Sequence, residues 1–214
     1  MKSFSSIAGL TLALVALAGS SQAQSISFGL RGTGSFPTGS FARDPGSTSA
    51  SSALVQGAKQ GFGYGADLGL SFGMVGAYAG FDHISFDCQT TSCGSDGEYT
   101  LQGATVGLKL MLPVASRFRP FAKGGVTFNN LKGTYGSSST SRGFTTDRKP
   151  GYELGIGADY GLAGIVAISP QLRYVGQNFD AKIPGVTSTA TVDNQGANFF
   201  TFDLGLSVHT PWGM

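Results

Sequence analysis

Apolar and polar residues alternate along most of this chain. The clearest segment is residues 151–162, where every second residue is apolar and most of the others are glycine. The same alternation recurs at residues 26–35, 61–72, 105–112 and 200–209. A sustained period of two is typical of a β-strand whose two faces meet different surroundings. The pattern therefore predicts five strands, each with one apolar and one polar face.

Three less regular segments, residues 75–86, 121–130 and 170–179, bring the number of predicted strands to eight. In the first of them, Ile84 and Phe86 fall on the face opposite to the apolar residues that precede them. This change of face predicts either a bulge or the edge of a membrane at that point. The pattern leaves the register of the first two of these segments open.

The connections between these segments alternate in length, as expected when antiparallel strands run up and down. Pro170 follows a short connection and fits only at the start of a strand, because proline has no N–H to donate in a ladder. The long polar connections are residues 37–60, 132–149 and 181–196, and the loop that contains both cysteines, residues 88–97, lies at the same end. The short connections lie near residues 73–74, 113–119 and 163–169.

The lengths of the strands and the positions of their charges decide which face meets water. Strands of soluble proteins usually have about 5–6 residues, whereas a strand that crosses a bilayer needs about 9–11, and the clean strands here run for about 11–12. The apolar face of the predicted strands carries no charged residue. Because a charge that faces lipid at the midplane costs about 2–4 kcal/mol, we expect the apolar face to meet lipid. The charges on the opposite face are Arg31, Asp67, Lys109, Lys123, Glu153, Asp159, Arg173 and Asp203.

A barrel of eight strands has an interior just wide enough for packed side chains. We therefore predict that these four acids and four bases pair inside the barrel, in space left by the many glycines. The fold class is all-β, an eight-stranded antiparallel up-and-down transmembrane β-barrel. Aromatic residues at the strand ends would then form girdles at the two membrane interfaces: Phe36, Phe62, Phe72, Tyr152 and Phe200.

Composition excludes several other classes of protein. Glycine supplies 34 of the 214 residues, but the glycines follow no triplet period, which argues against collagen. Aromatic residues make up 11 % of the chain, which argues against disorder. A formal net charge of +2 gives no support for a nucleic-acid partner. The chain has no run of 18 apolar residues, so a helical membrane span is not expected.

The first 23 residues have the pattern of a secretory signal peptide. Lys2 is followed by an apolar stretch of twelve residues, Ile7 to Ala18, and Ser21 and Ala23 are small residues at the positions that signal peptidase reads. We predict cleavage after Ala23 and a single barrel domain over residues 24–214. In an oxidising compartment, Cys88 and Cys93 are expected to form a disulfide.

Candidate chemistry along the chain is sparse. His83, Ser85 and Asp87 share one strand face and contain the residue types of a hydrolase triad; a polar strand end near the membrane surface is the simpler interpretation. His209 is interpreted as a structural partner of the polar interior. The remaining candidates are the pairs Gly63-x-Gly65 and Gly155-x-Gly157, interpreted as strand glycines and not nucleotide loops, and Arg117 with Arg119, interpreted as a solvated turn with anionic lipid as the alternative.

The signal peptide, the eight strands, the alternation of long and short connections and the stretch Gly76–Phe81 together resemble a known family. The chain is similar to the small eight-stranded outer-membrane β-barrels of Gram-negative bacteria, of the outer-membrane-protein-A and opacity-porin type. The resemblance implies an outer-membrane location, contact with outer-membrane lipid and lipopolysaccharide, and insertion by machinery that reads a terminal aromatic residue. Trp212 stands in that position, although Gly213 and Met214 follow it.

We therefore predict an outer-membrane barrel with a filled interior that serves membrane structure and surface interaction. Its long loops, residues 37–60, 132–149 and 181–196, would carry any surface ligand. We expect no enzyme activity, cofactor or metal. Two alternatives stay open: a lipid hydrolase embedded in the barrel, similar to lipid A deacylases and built on His83 and Ser85, and a soluble periplasmic binder of lipocalin type, in which the apolar face would line a cavity.

Overall fold

The structure is a computed structural model, and it describes residues 24–43, 55–88, 97–112, 117–135, 142–184 and 189–212. The predicted signal peptide lies outside these residues. In the described part of the chain, no helix is long and apolar enough to cross a membrane. The described residues form nine strands: β1 (Gln24–Thr38), β2 (Ala58–Phe72), β3 (Val75–Cys88), β4 (Glu98–Met111), β5 (Phe118–Tyr135), β6 (Arg142–Thr146), β7 (Lys149–Ala163), β8 (Val166–Pro184) and β9 (Thr189–Trp212).

The strands close into an antiparallel barrel. Strands that follow one another in the chain pair with each other, except for β6 and β7, and β1 pairs with β9 from Gln24↔Trp212 to Thr38↔Asn198. The short strand β6 continues the line of β7, since both lie between β5 and β8. The circuit therefore has eight positions, and the predicted eight-stranded up-and-down barrel is confirmed.

Two tight turns at one end of the barrel depend on glycine. Gly73 follows β2 and Gly164 follows β7, with φ angles of 62° and 54°. In each turn only two residues separate the paired ends Phe72↔Val75 and Ala163↔Val166. A positive φ at the first position of a two-residue hairpin turn favours glycine. We call this end of the barrel, which also carries Gln24 and Trp212, the turn end, and the opposite end the loop end.

The strands reach further toward the loop end than the alternation predicted. β4 begins at Glu98 and not at residue 105, and β6 lies within the predicted loop 132–149. β8 and β9 remain paired as far as Pro184↔Thr189, so most of the predicted loop 181–196 is a hairpin. Small and polar residues dominate these extensions, and cross-strand pairing forms the strands there despite a weak local signal.

The prediction that Pro170 begins a strand is wrong. β8 starts at Val166, and Pro170 is an interior residue that pairs with Leu204 of β9. On the other side, β8 pairs with β7 at Ile168 and Gln171 but not at Pro170. The β7–β8 ladder is interrupted at this point because proline has no N–H to donate to it.

The apolar face of the strands points outward. Leu154, Ile156 and Leu206 are 59 %, 63 % and 58 % exposed. The lipocalin alternative required these side chains to line an internal cavity, so that alternative is wrong. All five predicted girdle residues are exposed as well, and Phe62 and Phe72 lie about 26 Å apart along the barrel axis, for a strand tilted by about 40° with a rise of about 3.4 Å per residue.

The outward and inward faces of the strands exchange polarity between the aromatic girdle and the loop end. Along β3 the outward residues change from Phe81 to His83 and Ser85, while the inward residues change from Asp82 to Ile84. The pairing of β3 with β2 and with β4 is continuous from Phe81 to Phe86, and the register shift against β2 falls between Ala58 and Gly61. The predicted bulge is therefore absent at the change of face, and the membrane edge stays a prediction. Where the outside becomes water, the inside becomes apolar, because burying apolar surface away from water is favourable.

The loop-end half of the interior is a compact apolar cluster. Phe41, from the connection after β1, packs edge-on against Phe86 with ring centroids 5.1 Å apart, and Phe86 contacts Phe199 at 5.3 Å. The cluster, which we call the apolar cap, consists of Phe41, Val55, Ala58, Ile84, Phe86, Cys88, Tyr99, Leu101, Leu131, Phe144, Val175, Phe179, Ala197 and Phe199.

Candidate functional site

The polar half of the barrel interior is organised around Arg173. Its guanidinium is 1 % exposed and contacts three carboxylates from three other strands. Nε donates to Asp203 at 2.5 Å, Nη1 donates to Glu153 at 2.7 Å, and Nη2 donates to Asp82 at 3.1 Å. One side chain thus ties β3, β7 and β9 to β8 across the lumen.

A second guanidinium extends this cluster. Arg31 of β1 forms ion pairs with Asp67 and, at 2.8 Å, with Asp82. Asp82 therefore bridges Arg31 and Arg173. The sequence interpretation missed Asp82, because the change of face in β3 made the register of that strand uncertain. A signal was available: Asp82 lies two residues before Ile84, so the two side chains share the inward face of β3.

The remaining contacts give Glu153 and Asp203 further partners. Lys123 forms an ion pair with Glu153 at 3.1 Å, and the Tyr78 hydroxyl donates to the same carboxylate at 3.0 Å. Thr33 donates to Asp203 at 2.6 Å. A buried carboxylate is tolerated only when such partners replace water. We call this cluster the Arg173 network, and its charged members are Arg31, Asp67, Asp82, Lys123, Glu153, Arg173 and Asp203.

Lys109 and Asp159 form a separate pair nearer the turn end. Their ion pair measures 2.9 Å, and Ser169 also donates to Asp159, at 2.7 Å. The Lys109 ammonium lies 3.8 Å from the centroid of the Phe121 ring. The structure thus places all eight charged residues selected from the sequence in ion pairs with one another, and Asp82 joins them as a further member.

Glycines on the inward face provide the space for these side chains. A Cβ on Gly65 would lie 2.8 Å from Cζ of Arg31, and one on Gly155 would lie 3.1 Å from Cγ of Arg173. Both positions belong to the Gly-x-Gly pairs in β2 and β7, which are therefore strand glycines in this structure. A missing Cβ at these sites allows a large guanidinium to cross the lumen.

The hydrolase candidates lie elsewhere. His83 and Ser85 point outward at the membrane edge, and the His83 ring stacks on Tyr64 with centroids 5.1 Å apart. Within the described residues no hydrogen bond joins His83 to Ser85, so the structure does not bring this pair together. His209 does line the lumen and lies 3.1 Å from the Ser207 hydroxyl.

The cysteine pair stays a prediction. Cys88 is buried at the loop end of β3, and Cys93 lies outside the described residues. Among the described residues, no group of three histidine, cysteine or acidic side chains could hold a metal ion.

Comparison with known proteins agrees with this architecture. Residues 9–209 match the family model described as the outer membrane protein beta-barrel domain. No curated protein sequence matches the chain. Among solved structures, the chain is similar to the outer membrane protein OprG from Pseudomonas aeruginosa, with 13 % identity and a TM-score of 0.55 over 88 % of this chain and 96 % of that one.

Two further structures show the same likeness. Neisserial surface protein A has 11 % identity and a TM-score of 0.53, over 86 % of this chain and 96 % of that one. A major outer membrane protein from Thermus thermophilus has 15 % identity and a TM-score of 0.52, over 86 % of this chain and 99 % of that one. At these identities the likeness shows the fold alone.

Proposed function

Because the chain belongs to the outer membrane protein beta-barrel domain family, we propose that it acts as a closed, non-conducting barrel of the outer membrane that works through its loop end. The observation that carries this proposal is the Arg173 network, which fills the lumen with side chains from β1, β2, β3, β5, β7, β8 and β9. Arg173, Glu153 and Asp203 have side chains that are at most 1 % exposed. An open aqueous pore requires a wider barrel of about 16–18 strands.

The apolar cap supports the same conclusion from the other side. Phe41 and Leu131 at its centre are fully buried, so the cap covers the Arg173 network on the side of the loop end. An ion that entered from the loop end would have to leave water for an apolar cluster, which is strongly unfavourable.

The loop end supplies the surface for interaction. Outer-membrane barrels have short periplasmic turns and longer extracellular loops, so the loop end would face the outside of the cell. The hairpin of β8 and β9 stays paired to Pro184↔Thr189, so its tip belongs to the loop end. We propose that this tip and the loops within residues 37–60 and 132–149 bind a surface ligand.

Two further contacts are part of the proposal. The exposed apolar band would be covered by outer-membrane lipid, and lipopolysaccharide would surround the outer girdle. The insertion machinery would read the end of β9, whose last residue is Trp212.

Conductance in planar bilayers tests the closed barrel. We expect the purified full chain to give no lasting single-channel steps, and we expect the double variant Arg173→Ala/Phe41→Ala to give frequent steps because both the network and the apolar cap are then interrupted. Lys149→Ala, at an exposed pair with Asp180 near the loop end, is the matched control and should resemble the unmodified protein. Lasting steps from the unmodified protein would refute the proposal.

Binding of the full chain in nanodiscs to glycan and matrix-protein arrays tests the surface role. The comparison variant carries a Gly–Ser linker of equal length in place of residues 44–54. We expect binding above that of empty nanodiscs, reduced at least tenfold by the linker. Signals equal to empty nanodiscs, or unaffected by replacement of each loop in turn, would contradict it.

A further inference from the structure

The lumen is open at the turn end. Arg117, Arg119 and His209 line a cavity of about 410 Å³ there, together with Ala167 and Gly161. Arg117 directly precedes β5, where its carbonyl accepts a hydrogen bond from the Gly161 N–H at 2.8 Å, and the others occupy inward positions of β5, β7, β8 and β9. The cavity is therefore the mouth of the barrel at the turn end and not a groove on its outer wall.

The two arginines at this mouth carry uncompensated charge. Within the described residues, neither guanidinium has an ion pair or a hydrogen bond. Asp159 lies opposite Arg119 in the β5–β7 register, but its carboxylate is occupied by Lys109 at 2.9 Å and by Ser169 at 2.7 Å. The mouth thus holds two guanidinium groups whose donors are free.

A smaller chamber of about 70 Å³ lies above the mouth, and His209 lines both spaces. Lys109 and Arg31 contribute to its wall, and so do their ion-pair partners Asp159 and Asp67. The Arg31 side chain is only 2 % exposed, and its Nε has no hydrogen-bond partner in the described part of the chain. A buried guanidinium nitrogen without a partner is costly, so this nitrogen favours an acceptor in the chamber.

We propose that the mouth and the chamber form a blind binding site for a phosphate group. Guanidinium groups bind phosphate through paired, charge-assisted hydrogen bonds, and Arg117 and Arg119 supply such donors at the entrance. The Arg173 network closes the inner end, so the anion binds without passing through. The phosphate is either free inorganic phosphate in the periplasm or the headgroup of a phospholipid in the adjacent leaflet.

Phosphate titration of the isotope-labelled full chain tests the site. The protein is held in a non-ionic detergent without phosphate, and the amide signals of Gly161, Gly164 and His209 are followed by NMR. We expect a saturable shift that sodium chloride at equal ionic strength does not produce. No saturable shift with phosphate or lipid, or an equal shift with chloride, would overturn the proposal.

Variants assign the effect to the arginines. The double variant Arg117→Gln/Arg119→Gln should weaken phosphate binding at least tenfold, and Arg148→Gln, at an exposed arginine near the loop end, should change it less than twofold. If the double variant does not fold, Arg117→Gln alone replaces it, with an expected loss of at least threefold. Equal binding by the arginine variants and the unmodified chain would overturn the proposal.

Nanodiscs distinguish the two sources of phosphate. Shifts that appear in phosphatidylglycerol and not in a neutral detergent, with no free phosphate present, identify a lipid headgroup. Shifts that appear only when inorganic phosphate is added identify the free anion. Neither result depends on conductance or on the loops, so the site can be refuted while the proposed function stands.

Discussion

Replacement of Arg173 by methionine is the sharpest perturbation of the interior. The substitution keeps an unbranched side chain but removes the group that contacts Asp82, Glu153 and Asp203. Asp82 keeps its ion pair with Arg31, which Asp67 shares, and Glu153 keeps its ion pair with Lys123. Asp203 loses its only cation among the described residues and keeps hydroxyl donors such as Thr33.

The expected loss follows from this inventory. Removal of one partner from a buried ion pair costs about 3–5 kcal/mol, and one carboxylate is left without a cation, so we expect Arg173→Met to lower the free energy of unfolding by about 4 kcal/mol. Adding Asp203→Asn should recover about half of that loss, because the stranded charge is then gone.

Urea unfolding in lipid vesicles measures these differences. The fraction of folded barrel is read from the band of unboiled protein, which migrates differently from the boiled band. Lys149→Met, whose partner Asp180 is partly exposed, is the control, and we expect it to change the free energy by less than about 1 kcal/mol. A loss below about 1 kcal/mol for Arg173→Met, or no recovery with Asp203→Asn, would refute this reasoning.

Three further predictions use the same unfolding measurement. Gly65→Ala should destabilise the barrel clearly more than Gly32→Ala, because a Cβ at Gly65 lies 2.7 Å from the Phe81 carbonyl oxygen and 2.8 Å from Cζ of Arg31, while one at Gly32 meets nothing within 4 Å; equal effects would contradict the role of glycine spacing. Leu154→Arg, on the lipid face, should cost about 2–4 kcal/mol, and a neutral result would mean that this face does not meet lipid. Phe41→Ala should cost about 3–5 kcal/mol because its ring is fully buried; a loss near zero would mean that the apolar cap is not packed in solution.

The strands of the membrane half could be predicted because lipid imposes a strict pattern. Every second residue must be apolar there, as from Tyr152 to Leu162, and no charge is tolerated on that face. The same rule identified the inward side of Arg31 and Asp203 from their positions alone. These features depend only on local sequence and on the two surroundings of the strand.

The partners within the lumen could not be predicted in the same way. Arg173 contacts Asp82 across 91 residues of chain, and that contact depends on the stagger of all eight positions around the barrel. The length of the strands at the loop end was also underestimated. The polarity of their two faces is inverted there, and the residues of β6 show little alternation. The inversion at Ile84 was visible in the sequence, but a bulge and a membrane edge give the same pattern.

Spin-label accessibility along β3 tests the central claim most directly. Ala79, Phe81, His83 and Ser85 are replaced singly by labelled cysteine in a chain with Cys88→Ser and Cys93→Ser, and collisions with oxygen and with a water-soluble nickel chelate are measured in vesicles. The account predicts that oxygen dominates at Ala79 and Phe81 and that the chelate dominates at His83 and Ser85. If Ala79 and Phe81 are shielded from oxygen, the claim that the apolar face points outward to lipid is wrong. If all four positions show the same accessibility, the claim that the outward face of β3 changes from apolar to polar after Phe81 is wrong.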